Sequence, residues 1–194
     1  EARAEALGVE QWVALTNRLH PLPDKRVRSG GELFDVVDAN DQVLEQLPRD
    51  VVHARDLRHR AVHILIRNGR GALYLQKRVA WKDRNPGLWD SSAAGHVDAG
   101  ETYEQAAARE LDEELNLSAP LTEMLKLNSS QETGFEFLKV YLATHSGPIR
   151  PAPAEVECGA FFEIDSVLRW LDTEPEAFTP VFRLCRPILE RLLR

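Results

Sequence analysis

Three glutamates pose the first chemical question. Glu110, Glu113 and Glu114 stand at i, i+3 and i+4 in the run Arg109-Glu110-Leu111-Asp112-Glu113-Glu114-Leu115. On a helix that spacing places all three within one sector of roughly 100°. Like charges so arranged repel, and more strongly when partly desolvated. A hard divalent cation with oxygen ligands offsets that cost, and Mg²⁺ is the natural choice. A charge run is more commonly a solvated helix face, so the neighbouring residues decide. Glu101 lies eight residues before Arg109, and an ion pair between them would hold the preceding loop against the helix. Gly95 leaves a backbone carbonyl accessible as a further oxygen ligand. Asn116 follows the last helical turn, where a left-handed residue is expected.

The elements that must position these groups follow from periodicity. A helix is expected over residues 102–115, with Ala108, Leu111 and Leu115 toward the core and Asp112 solvated. Residues 32–47 read as a β-hairpin with arms at 33–37 and 42–44. Residues 55–60 read as a basic connector. Strands are expected over 61–66, 72–76, 121–127, 135–144 and 159–164; the first is apolar on both faces and therefore central. Small residues at 91–95 suggest close backbone approach. Helices are expected over 165–171 and 181–193, the second kinked or split at Pro187. Leu7, Trp12, Leu15 and Leu19 give an amphipathic helix over 1–20, followed by a polar linker. The pattern is α/β: a mixed sheet packed between helices in a domain over 31–194, preceded by a helix and linker over 1–30.

Composition narrows the partners. The 194 residues carry a net charge of -7, with 43% hydrophobic and 28% charged residues. An acidic balance argues against a nucleic-acid polymer, although a metal can bring a small diphosphate to an acidic protein. No apolar run is long enough to span a bilayer, and no leader is visible. Cys158 and Cys185 lack CxxC spacing, which fits a reducing compartment, so a cytoplasmic location is expected.

The stretch from Gly95 to Leu117 resembles the Nudix box: Gly, five residues, Glu, seven residues, Arg-Glu, an aliphatic residue, any residue, Glu-Glu, any residue, Gly, aliphatic. Gly95, Glu101, Arg109, Glu110, Leu111, Glu113, Glu114 and Leu117 match, and Asn116 replaces the last Gly. Residues 32–38, 59–63, Leu75-Gln76-Lys77-Arg78 and Gly87-Leu88-Trp89-Asp90 are similar to the branch related to isopentenyl-diphosphate isomerase. The resemblance spans about residues 32–171. It implies a Nudix-type α/β/α sandwich with an N-terminal helical appendage. It also implies a hydrolase that cleaves the diphosphate bond of a nucleoside diphosphate derivative or related compound, by water attack at phosphorus, with Mg²⁺ or Mn²⁺.

On that resemblance Glu113 and Glu114 are expected metal ligands. Glu110 is a ligand or the base that orients water, the Gly95 carbonyl adjoins them, and Glu101 with Arg109 is a structural pair. Glu136, Glu155 and Glu157 are candidate ligands outside the box. Arg78, Lys77 and Arg60 are candidates for the diphosphate; strand alternation allows at most one of Lys77 and Arg78. Trp81 or Trp89 could stack on a base. His63 is expected as a satisfied core residue, and His96 matches a metal-binding His of the isomerase. The isomerase needs a Cys where this chain has Ala94, which leaves isomerisation and a non-catalytic binding module as the alternatives. The expected partner is a small-molecule diphosphate, without membrane, and a homodimer through the N-terminal helix and hairpin is compatible with the pattern.

Overall fold

The computed structural model describes residues 31–82 and 84–193. The expected helix and linker over 1–30 lie outside the described residues. Strands β1 (Leu33–Val37) and β2 (Val43–Pro48) form the hairpin, whose second arm runs longer than expected. Asp38 accepts backbone N–H bonds from Asn40 and Gln42, which closes the turn. Helix α1 (Arg49–Ala54) was not expected; it has only Val52 buried, so no period betrays it. Strand β3 (His59–Arg67) begins two residues earlier than the expected strand and takes up part of the connector.

The main sheet runs β5-β4-β3-β8-β7, with β6 also paired to β3 and β9 to β4. Its members are β4 (Leu73–Arg78), β5 (Trp89–Asp90), β6 (Ala93–His96), β7 (Thr122–Leu127), β8 (Glu136–Thr144) and β9 (Val156–Phe162). Only β3 and β8 run parallel among the paired strands, so the sheet is mixed, with β3 central as expected. The Trp89–His96 segment changes partners midway. Asp90 pairs with Gln76 of β4, whereas Ala93 pairs with Ile64 of β3. The Ser92 hydroxyl spans the change, accepting from the Ile66 N–H at 2.7 Å and donating to the Tyr74 carbonyl. The small residues at 91–95 therefore mark a split in the ladder.

Helices cover both faces. Val62, Ile64 and Ile66 of β3 pack with Ala106, Ala107, Leu111 and Leu115 of α2 (Tyr103–Leu115). Ala61 and Leu65 point the other way, toward α3 (Ile164–Thr173), α4 (Pro180–Leu184) and α5 (Arg186–Leu193). The result is an α/β/α sandwich of the class expected. Two details are corrected. Ala107, not Ala108, faces the sheet; Ala108 is exposed because the buried arc of α2 centres near Tyr103, Glu110 and Glu114. The last helical stretch is split as expected, but at Cys185 rather than at Pro187, which sits in the first turn of α5, where its missing N–H costs nothing.

Candidate active site

The acids arise from the capped start and stop of α2. The Thr102 hydroxyl accepts from the Gln105 N–H at 3.2 Å while the Gln105 side chain accepts from the Thr102 N–H at 2.8 Å. This reciprocal pair fixes where the helix begins and stabilises it by about 1 kcal/mol. Asn116 ends it in the left-handed region at φ 52°. Between these ends, Glu110 and Glu114 fall about 40° apart around the axis and Glu113 about 60° from Glu110. All three line one cleft of about 1490 Å³.

Each acid has its own environment. Glu114 is buried, and its Oε2 accepts from Gln76 Nε2 at 2.8 Å and the Ala94 N–H at 3.0 Å. Burial raises its pKa, and Lys82, the Ala94 N–H and Gln76 only partly oppose that. Glu110 Oε1 accepts from Arg109 at 2.5 Å. Burial and then the Glu114 charge push the Glu110 carboxyl up to about 8, against Arg109. Glu113 is the accessible member, its side chain 41% exposed and 3.2 Å from Arg109. One buried and one largely covered carboxylate, each partly compensated, beside an accessible third are a donor set suited to a hard divalent cation.

Gly95 is explained by sterics. A Cβ there would lie 2.2 Å from the Glu110 carboxyl carbon, so only glycine admits that side chain. The Glu101–Arg109 pair forms as expected. Arg109 donates to both Glu101 oxygens at 2.9 and 2.8 Å and to the His96 carbonyl at 2.9 Å, which ties loop, strand and helix together.

The outlying candidates separate. Glu155 reaches the cleft, with its Oε2 2.5 Å from Lys82 Nζ. Glu157 does not: it pairs with Lys77 at 3.6 Å, and neither residue lines the cleft. β9 extends back to Val156, so Glu157 and Lys77 lie on neighbouring strands. Arg60 is also withdrawn from the substrate-binding set. Its guanidinium is held at 2.6 Å by both the side chain and the carbonyl of Asp41, away from the cleft. Trp89 is buried among Phe162 and Trp170, so it packs the core and cannot meet a base. Arg78 lines the cleft but is engaged. It lies 3.4 Å from Asp90 and donates to the Arg84 carbonyl at 3.3 and 3.2 Å, which straps the 79–88 loop. His63 is bonded to the Ser91 hydroxyl at 2.7 Å.

Glu136 belongs to a second cluster, of which the sequence reading named Glu136 and His96 but not His53 or His59. The parallel register sets His59 beside Glu136, and the antiparallel register sets His96 beside Ala61. One end of β3 thus gathers His59, His96 and Glu136, and α1 adds His53. Candidate ligand atoms of the three histidines lie within 4.8 Å of one another. Glu136 Oε1 is 3.6 Å from His59 Nε2 and 3.4 Å from His96 Nε2. The Nε2 atoms of His53 and His59 are buried without a hydrogen-bond partner. Burial and then the neighbouring His96 push His53 down to about 3, and burial likewise lowers His96. The shift favours the neutral ring, the form that ligates metal. His96 and Glu136 carried a signal through the resemblance to the isomerase branch, whereas His53 and His59 carried none of their own. Lys82 was also missed, since a lone lysine in an irregular loop carries no pattern.

Among the described residues no helix is long and apolar enough to cross a membrane. The NUDIX domain pattern matches residues 57–182. An uncharacterized Nudix hydrolase of Streptomyces coelicolor is 34% identical over 167 residues, covering 83% of this chain and 92% of its own. A Serratia proteamaculans protein named isopentenyl-diphosphate Delta-isomerase is 31% identical over 156 residues, covering 78% and 87%. The crystal structure of Deinococcus radiodurans DR0079 superposes with a TM-score of 0.73 at 27% identity, covering 84% of this chain and 100% of that one.

Proposed function

The chain belongs to the Nudix hydrolase family, and from that membership we propose that it cleaves the diphosphate bond of a nucleoside diphosphate derivative, with Mg²⁺ or Mn²⁺ on Glu110, Glu113 and Glu114. The carrying observation is the convergence of these three carboxylates, Glu114 buried and Glu110 largely covered, on one cleft. When bound, a divalent cation would neutralise charge on the diphosphate oxygens and lower the pKa of a water molecule. Glu113, the most exposed of the three, is the ligand nearest solvent. Glu110 must first release the proton that burial holds on it, and its carboxylate then either joins the ion or orients the attacking water. Arg109 and Glu101 hold the helix and the Gly95 loop in register, and the Gly95 carbonyl is proposed as a further oxygen donor. Trp81 lines the cleft and is 73% exposed, which leaves its ring free to stack on a base.

His53, His59 and His96 with Glu136 are proposed as a second donor set, of the imidazole-rich kind that takes a transition metal. Isomerisation is disfavoured because Ala94 offers no thiol for proton transfer; its N–H instead bonds Glu114. The test is phosphate release from a panel of nucleoside and isoprenoid diphosphates. Release should need Mg²⁺ and fall by at least about 100-fold in Glu113→Gln. Turnover that survives both EDTA and that substitution rejects the reading.

A further inference from the structure

Lys82 stands in an unusual place for a cation. Its ammonium is 3.6 Å from Glu114 Oε1 and 2.5 Å from Glu155 Oε2, with the side chain only 18% exposed. The same Glu114 is one of the three acids assigned above to a divalent ion. Oε2 of Glu114 is taken by Gln76 and the Ala94 N–H, so an ammonium and a dication would compete for Oε1 and repel at close range in a weakly screened cleft. The loop that leads to Lys82 is held on its N-terminal side. The Lys82 N–H donates to the Val79 carbonyl at 3.3 Å, and Arg78, braced by Asp90, straps the loop at Arg84. Movement of the ammonium therefore falls to the four-carbon stem, which has ample rotamer freedom.

We propose that Lys82 is an exchangeable counter-ion, which holds Glu114 and Glu155 in the metal-free protein and gives them up to a divalent cation, its freed ammonium then binding the substrate's diphosphate. The inference rests on the proposed metal-dependent reading of the same cleft. Three features support it. Lys82 bridges an acid of α2 to an acid of the 152–155 loop, so its release frees two carboxylates at once. The 152–155 loop is tied to the same helix, the Ala152 N–H donating to the Glu114 carbonyl at 2.6 Å, so Glu155 stays within reach after the exchange. Arg78 is committed to its strap and Lys77 faces away from the cleft, whereas Lys82 lines the cleft beside Glu114 and Glu155, where a displaced ammonium stays close to an anionic ligand.

The exchange predicts opposite effects on two ligands, which a packing role would not produce. Mn²⁺ binding without substrate, followed by electron paramagnetic resonance at about pH 8.5 to keep carboxylates ionised, should tighten about tenfold in Lys82→Met and Lys82→Gln. The KM for the hydrolysed diphosphate should rise about tenfold in both, with a smaller change in kcat. Lys82→Arg should restore the wild-type Mn²⁺ affinity. Two uncharged variants guard against a fold defect peculiar to one. Unchanged or weakened Mn²⁺ binding in both, with wild-type protein binding the ion, overturns the exchange alone. Wild-type protein that binds no Mn²⁺ overturns the underlying reading as well.

Discussion

At the scale of single residues, Glu110 links the fold to pH. Its carboxyl is pushed up to about 8 from 4.5 by burial and by Glu114, against Arg109. Between those values the folded chain holds a proton that the unfolded chain has released. This contribution is present below the unfolded value and is lost as pH rises through the window. A metal that binds the carboxylate must displace that proton, so its hold tightens as pH rises. The rise in Tm produced by saturating Mg²⁺ should be larger near pH 8 than near pH 6. A shift that shrinks with rising pH contradicts the assignment. Gly95 gives a second test. Gly95→Ala places a Cβ against the Glu110 carboxyl, so turnover should fall about 100-fold while the circular dichroism spectrum is kept. Motif spacing made both residues legible, whereas Lys82 was not, because its role depends on a loop folding back onto α2.

Among the elements, α2 was the most readable, because caps and charges sit at fixed offsets along one helix. Its C-terminal residue is informative: Asn116 takes φ 52° and its side chain donates to the Arg150 carbonyl at 3.0 Å. Asn116→Ala loses the bond and strains the backbone, and should cost about 1 kcal/mol in urea unfolding. Asn116→Gly keeps the conformation and should cost less. A larger loss for glycine than for alanine would contradict the cap. The ends of β4 and β9 were misjudged because strand length is set by the partner. β4 runs on to Arg78 through its pairing with β9 and β5, and that extension takes Lys77 and Glu157 out of the site. α1 was illegible for a related reason, since six residues with one buried contact have no period of their own.

Across the whole molecule, the mixed sheet brings distant residues together by register. His59, His96 and Glu136 come from three strands, and only the pairings of β3 with β8 and β6 make them neighbours. No local pattern could announce that. Co²⁺ added to the protein should give visible absorption from the imidazole-rich set, and His59→Asn should abolish it while leaving Mg²⁺-dependent turnover more than half intact. Absorption unchanged in that variant would show that the cobalt sits elsewhere. The sandwich itself follows from faces that were legible in β3, where Ile64 and Ile66 meet α2 while Leu65 meets the helices of the opposite layer.

The most direct test concerns the bond that breaks. Nucleoside and isoprenoid diphosphates, incubated with the protein and Mg²⁺ in ¹⁸O-enriched water, should release a phosphate product carrying the label, and Glu113→Gln should release almost none. Rearranged isoprenoid diphosphate without hydrolysis, or label in neither the orthophosphate nor the monophosphate product, would contradict attack of water at phosphorus under the control of the three glutamates.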